Sequence, residues 1–206
     1  MMAIPLQEPY TAMGFAQVGG GGETVSQAML DVTGKNAVVD WVLVELRAPA
    51  VPHAVLEARV GLVQRDGDVV AVDGVSPLGF CLNAGSYRVA VRHRNHLGCM
   101  TGSALALSAN ATGLDLSASA TSTYGTNARK TVGSLRTLWS GNVFVNNSLG
   151  YTGPSNDRDP ILAAVGGTSP TNSATGYLLA DVNMDGQVRY TGQDNDRDPI
   201  VNNIGG

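Results

Sequence analysis

Lysine is nearly missing from this 206-residue chain, occurring only at Lys35 and Lys130, and aromatic residues make up just 5% of it. Charged residues reach 15%, against roughly 25% in an average soluble domain. With a formal charge of −4, the chain lacks the basic face that phosphates call for, which argues against nucleic acid as a partner. No apolar run approaches the ~18 residues of a membrane-spanning helix, so no membrane insertion is expected. The start, Met1-Met2-Ala3-Ile4-Pro5, lacks a basic segment followed by an apolar one, so no secretory signal is read there. The chain then reads either as cytosolic or as a mature piece of a longer exported protein. Only two cysteines are present, Cys81 and Cys99, flanking an expected strand. They either pair across neighbouring strands or stay as buried thiols. There is no G-x-S-x-G, and no Ser or Cys stands in an activating context, so nucleophilic catalysis finds no support and no enzyme is expected.

Gly, Ser, Thr, Asn and Ala fill the space, a composition of turn-rich β proteins. Residues 1–22 read as an extended arm ending in a hinge of four glycines, Gly19 to Gly22. Val38 to Leu46 is β-branched and apolar on both faces, as a central strand should be. Ala58–Gln64 and Val69–Val72 flank Arg65-Asp66-Gly67-Asp68, a strong hairpin signal. Ser86 to Arg94 alternates, with Tyr87, Val89, Val91 and His93 on one face. Further short strands are expected at 104–108, 112–118 and 136–139. Short strands about ten residues apart, without amphipathic helices, predict an antiparallel β-sandwich over residues 23–140.

Residues 1–149 carry ten acids and ten bases, whereas residues 150–206 carry seven aspartates and three arginines, so the whole imbalance sits in the tail. The tail also repeats itself. Tyr151-Thr-Gly-Pro-Ser-Asn-Asp-Arg-Asp-Pro-Ile161 recurs 39 residues later at Tyr190 to Ile200, and Val165-Gly166-Gly167 matches Ile204-Gly205-Gly206. Each copy places Asp-Pro where a short helix would start, with Asp159 and Asp198 as N-caps and Gly166 and Gly205 as the stops.

Upstream of the second copy, Asp181, Asn183, Asp185 and Gly186 form D-x-N-x-D-G. That alternation aims three oxygens at one centre, the glycine permits the sharp turn, and Gln187 adds its backbone carbonyl, as in a Ca2+ loop. An EF-hand would close on Glu at its twelfth position, but Gly192 stands there, so Asp196 or Asp198 is expected to close a longer loop. In the first copy Asn142, Phe144 and Asn146 replace the three ligands, leaving Asn142, Asn146, Asp157 and Asp159 as a weaker, less charged set. The competing reading is a pair of Asx-turns with solvated carboxylates.

These tail motifs resemble the dockerin-like calcium repeats of secreted bacterial proteins. The whole chain resembles a module of large exported Bacteroidota surface proteins, loosely termed hemagglutinin-like or associated with type IX secretion. That resemblance rests on Ile4-Pro-Leu-Gln-Glu-Pro-Tyr-Thr-Ala-Met-Gly-Phe15, Val39 to Arg47, Leu62-Val-Gln-Arg-Asp-Gly-Asp68, Val91-Arg-His-Arg-Asn-His-Leu-Gly98 and both Tyr-Thr-Gly…Asn-Asp-Arg-Asp-Pro-Ile segments. It implies an exported, surface-associated, calcium-using protein, and it implies no particular activity. The usual acidic loop is missing from the first copy, and the cysteines lie outside the pattern.

Other constellations are weaker. His93 and His96 fall on opposite faces of a strand, and an inward His93 bonded to the backbone is the simpler reading than zinc. Asp40 and Glu45 also face opposite sides and make no glycosidase pair. Trp41, Trp139, Tyr87, Tyr124, Tyr151 and Tyr190 could stack on sugars, yet most sit where a core would use them. Asn110-Ala-Thr and Asn146-Asn-Ser are sequons that matter only in a glycosylating host. The expectation is a non-catalytic, extracellular, calcium-binding structural or adhesive protein. The arm, with its glycine hinge, suits strand addition into other copies of the same chain, building a filament or tube. A carbohydrate-binding or adhesion module acting on surface proteins or glycans is the alternative. Dockerin-type docking through Arg158, Arg189 and Arg197 is a third reading.

Overall fold

The structure, a computed structural model, describes residues 3–205. Met1, Met2 and Gly206, the outermost residues of the expected arm and repeat, lie outside it. The fold is mainly β, with antiparallel sheets and few helices. Among the described residues, no helix is long and apolar enough to cross a membrane. The chain divides into two compact units, one of Ile4–His93 and Gly98–Thr137, the other of Ala3, Arg94–Leu97 and residues 138–205.

The first unit holds a short helix α1 (Gln27–Leu30) and strands β1 (Val38–Arg47), β2 (Val55–Gln64), β3 (Val69–Val70), β4 (Gly85–Arg92), β5 (Cys99–Met100) and β6 (Leu105–Leu107). Their order is β3-β2-β1-β4-β5, with β6 also on β4, and every pairing is antiparallel. β1 is central and buried on both faces, as its unbroken apolar run requires. The β2–β3 turn falls on Asp66-Gly67, where Gly67 takes φ +97°, a region costly for residues with a Cβ. A separate hairpin pairs β7 (Lys130–Val132) with β8 (Leu135–Thr137). On one face of the sheet Val42, Val44, Leu46 and Val89 pack against Leu78, Phe80, Leu82, Leu105, Leu107 and Leu114, residues drawn mostly from loops.

The opposite face carries Trp41, Leu43 and Glu45, and the N-terminal segment closes over it. Residues expected as an extended arm instead form a turn-rich strap. Tyr10 is fully buried and donates its hydroxyl to the Trp41 carbonyl at 2.9 Å, while the Trp41 indole donates to the Pro5 carbonyl at 2.9 Å. Phe15 meets Tyr10 edge-on and lies under the Arg92 guanidinium. The strap is tied by Glu8 N–H to the Glu23 carbonyl and Val25 N–H to the Leu6 carbonyl. It also extends β2, since Ala58 N–H donates to the Val18 carbonyl at 2.8 Å. The glycine run therefore lies against the sheet: a Cβ on Gly20 would stand 2.3 Å from the Ala58 oxygen, a contact only glycine avoids. Glu8 closes the strap by accepting from Thr11 N–H, Gly22 N–H and the Gln17 amide. Burial works against its ionised form, but these bonds outweigh burial and hold its carboxyl below the ordinary range.

Cys81 is exposed and Cys99 buried, and both are free thiols. The disulfide alternative is therefore not formed. Asp40 and Glu45 lie on opposite faces of β1, as alternation dictates. Both are buried: Asp40 Oδ2 is 2.9 Å from His93 Nε2, and Glu45 is ion-paired to Arg47 and Arg92.

Candidate metal centre

The second unit contains α2 (Arg158–Ala164), β9 (Ser173–Thr175), β10 (Gln187–Arg189) and α3 (Asp198–Ile204). Its core is Val143, Ile161, Val165, Ala180, Val182, Val188 and Ile200. Val143 and Val182, like Ile161 and Ile200, stand 39 positions apart, so the repeat seen in sequence becomes a shared core. The backbone repeats as well. Left-handed residues recur at Val145 and Met184 (φ +55° and +59°) and at Ser155 and Asp194 (φ +57° and +54°).

Each copy is held by one buried aspartate. Asp196 Oδ1 accepts from Val182 N–H and Asn183 N–H at 2.7 and 3.2 Å, and its Oδ2 accepts from Arg189 N–H at 2.7 Å. Asp157, its counterpart, accepts from Phe144 N–H and Gly150 N–H at 2.9 and 2.8 Å. Both are fully buried. Neither helix is capped by its Asp-Pro aspartate. Helix α2 begins at Arg158 and α3 at Asp198, and Asn156 Oδ1 accepts from Asp159 N–H, as Asn195 Oδ1 does from Asp198 N–H. Asp159 and Asp198 instead sit in the first turn, where a negative charge is favoured.

In the second copy the D-x-N-x-D-G segment folds as one loop. Asp181, fully buried, accepts from Asp185 N–H and Gly186 N–H, each at 3.1 Å. Asn183 Oδ1 also accepts from Asp185 N–H at 2.9 Å, and Asp185 Oδ1 accepts from Gln187 N–H at 2.7 Å. Gly186 takes φ +90°, the turn that the sixth position of such a loop demands. Asp181, Asn183 and Asp185 thus gather over one stretch of backbone, and Asp196 anchors the far side through its amide bonds. Asp198 is turned outward to the Asn195 amide. Among the described residues, no group of three His, Cys, Asp or Glu side chains could hold a metal. The donors on offer are two carboxylates, one amide oxygen and the Gln187 backbone, hard oxygens that suit Ca2+ rather than zinc or copper.

The first copy offers an ion fewer oxygens. Phe144 supplies no side-chain oxygen, and Asn142 donates its own Nδ2 to the Asn146 carbonyl at 2.9 Å, placing an amide donor inside the loop. Asn146 accepts from Ser148 N–H, Asp157 holds backbone amides, and Asp159 pairs with Asn156 and Arg158. Asn142, Asn146, Asp157 and Asp159 are thus each engaged in hydrogen bonds within the copy.

Burial pushes the Asp196 carboxyl from 3.8 up to about 6, against its three amide bonds and with Asp181 adding repulsion. Burial raises Asp157 and Asp181 in the same direction. Between those two values the folded chain holds more protons than the unfolded one, so stability without metal falls as pH rises through that window. Melting of this unit in excess EGTA is expected to show a higher Tm at about pH 5 than at about pH 7. A Tm that climbs across that interval contradicts the assignment.

Among the remaining arginines, Arg189 Nη1 donates to Asp185 Oδ2 at 2.6 Å, Arg158 pairs with Asp159, and Arg197 stacks on Tyr190. Sequence reasoning missed Arg94, which is fully buried, donates to the Leu178 carbonyl, stacks on Tyr177 and has Nη2 3.8 Å from Asp181 Oδ2. Nothing in its strand alternation marks it as a neighbour of a residue so far along the chain. Trp41 is fully buried and offers no platform for a sugar, whereas Tyr124 is exposed beside His53. Compared with protein-family models, with curated proteins and with solved structures, the chain finds no match.

Proposed function

We propose that this protein is a non-catalytic, extracellular calcium-binding module with a structural or adhesive role, of the kind carried by exported Bacteroidota surface proteins. The observation that supports this reading most is the loop at Asp181, Asn183 and Asp185, whose side-chain oxygens already fold over a common backbone turn. One Ca2+ per chain is the expected stoichiometry, held by those three residues and the Gln187 carbonyl, with Asp196 shaping the loop. The tail is read as a dockerin-like repeat pair in which only the second copy keeps a metal. The body is read as a sandwich in which the sheet faces a layer of loops. Loops with so few carboxylates bind weakly, and the millimolar calcium outside cells fills such sites.

Calorimetric titration of the intact chain with CaCl2 is expected to give one site, and melting with and without EGTA a Tm raised by calcium. Asp181→Asn should abolish both responses while the chain stays folded. Two equal sites, or no heat and no Tm shift, would sink the proposal.

A second reading, homopolymer assembly, draws on the strap. Residues 5–25 close over their own sheet through the Val18–Ala58 backbone hydrogen bond and the buried Tyr10, and the same contacts can be made to a neighbour's sheet when the strap swings out. Sedimentation and negative-stain microscopy in millimolar calcium and in EGTA test it: polymers support exchange, and a monomer in both conditions removes it. In the latter case glycan binding becomes the reading to test.

A further inference from the structure

The two copies differ in a matched way. Where the second has Asp181, Asp185 and Arg189, the first has Asn142, Asn146 and Gly150 at the positions 39 residues earlier. Acid and guanidinium thus come and go together within one fold. Arg189 Nη1 reaches Asp185 Oδ2 at 2.6 Å while Nη2 donates to Gln187 Oε1 at 2.6 Å, so the side chain folds back across the loop that carries it. The Asp185–Arg189 pair is about one-third exposed, so Arg189 can leave without unfolding anything. Arg94, by contrast, is a fixed cation 3.8 Å from Asp181 and enclosed by protein.

Resting on the reading of residues 181–187 as a calcium loop, we infer that Arg189 is a resident counter-cation that competes with Ca2+ for Asp185 and so sets the affinity of the site. Without metal, the guanidinium neutralises a carboxylate that would otherwise repel Asp181 and Asp196. When Ca2+ enters, the Asp185–Arg189 pair opens and the guanidinium turns to solvent. Arg94 stays in place and keeps the loop folded between the two states. Affinity is therefore held low and becomes dependent on ionic strength, because the displaced pair is a screened surface interaction.

The test is calcium titration by calorimetry of the full chain and its Arg189→Gln variant, at low and high NaCl. Arg189→Gln is expected to bind Ca2+ about two- to fivefold more tightly at low salt, the range of one exposed ion pair. That advantage should shrink towards one as salt screens the pair. Arg189→Lys should keep the wild-type affinity, and Arg158→Gln, altering the arginine paired with Asp159 in the first copy, should leave it unchanged. Equal or weaker binding by a folded Arg189→Gln, or a gain that persists at high salt, overturns the inference. Failure of the wild-type chain to bind calcium at all overturns the loop reading instead, so the two failures are separable.

Discussion

Replacing Asp196 by alanine is expected to unfold residues 138–205 at neutral pH, whether or not calcium is present. The substitution removes the acceptor of three backbone N–H groups, the buried one of Val182 and the part-buried ones of Asn183 and Arg189. Each unsatisfied buried amide costs about 1–3 kcal/mol, so the loss is on the order of 3–5 kcal/mol after relaxation. A small unit with a core of seven buried apolar residues has little margin beyond that. Asp157→Ala should act in the same direction through Phe144 and Gly150. Asp181→Asn, by comparison, should remove calcium binding while the unit stays folded. Urea denaturation combined with hydrogen exchange at Val182 and Arg189 checks this. A destabilisation below about 1 kcal/mol, or protected amides in the alanine variant, would mean that the clamp is dispensable.

Deleting residues 1–22 is expected to unfold the first unit and leave no stable monomer. The strap fills the Trp41 face with Tyr10 and Phe15 and completes a hydrogen bond to the indole. Tyr10→Ala alone should cost about 3–5 kcal/mol, the usual range for emptying a buried aromatic site. Far-ultraviolet dichroism and thermal melting of both variants measure the effect. A deletion variant that melts like the parent and merely fails to associate would show that the strap serves a neighbour rather than its own sheet. Intermediate results are interpretable too: supplying residues 1–22 as a peptide should restore the melt of the truncated chain if the contacts described are the ones that matter.

Much of the architecture was legible in the residues because it is local. Val38 to Leu46 reads as a central strand from its two-faced apolar run, and it is one. The Asp66-Gly67 turn follows from glycine's tolerance of positive φ. The copy relation was legible from identity at a fixed offset, and alternation alone put Asp40 and Glu45 on opposite faces of β1.

What the residues did not announce depends on separation along the chain. Four glycines read as a hinge, which left open whether the arm folds back on its own sheet or exchanges into a neighbour's. In the fold Gly20 marks a narrow place where two backbones meet, and only tertiary packing reveals that use. Asp196 was expected as a ligand because its position suited a long loop. That its oxygens accept from amides 7 to 14 residues away is a role that no spacing rule encodes.

By itself, then, the sequence determined the β character, the turns, the duplication and the oxygen-rich loop, all properties of residues within a few positions of one another. Tertiary structure decided that the strap covers Trp41, that Arg94–Leu97 belongs with the tail, and that a buried guanidinium stands beside Asp181. Those outcomes arise from burial and from charges forced to find partners at low dielectric, which only the folded chain brings together.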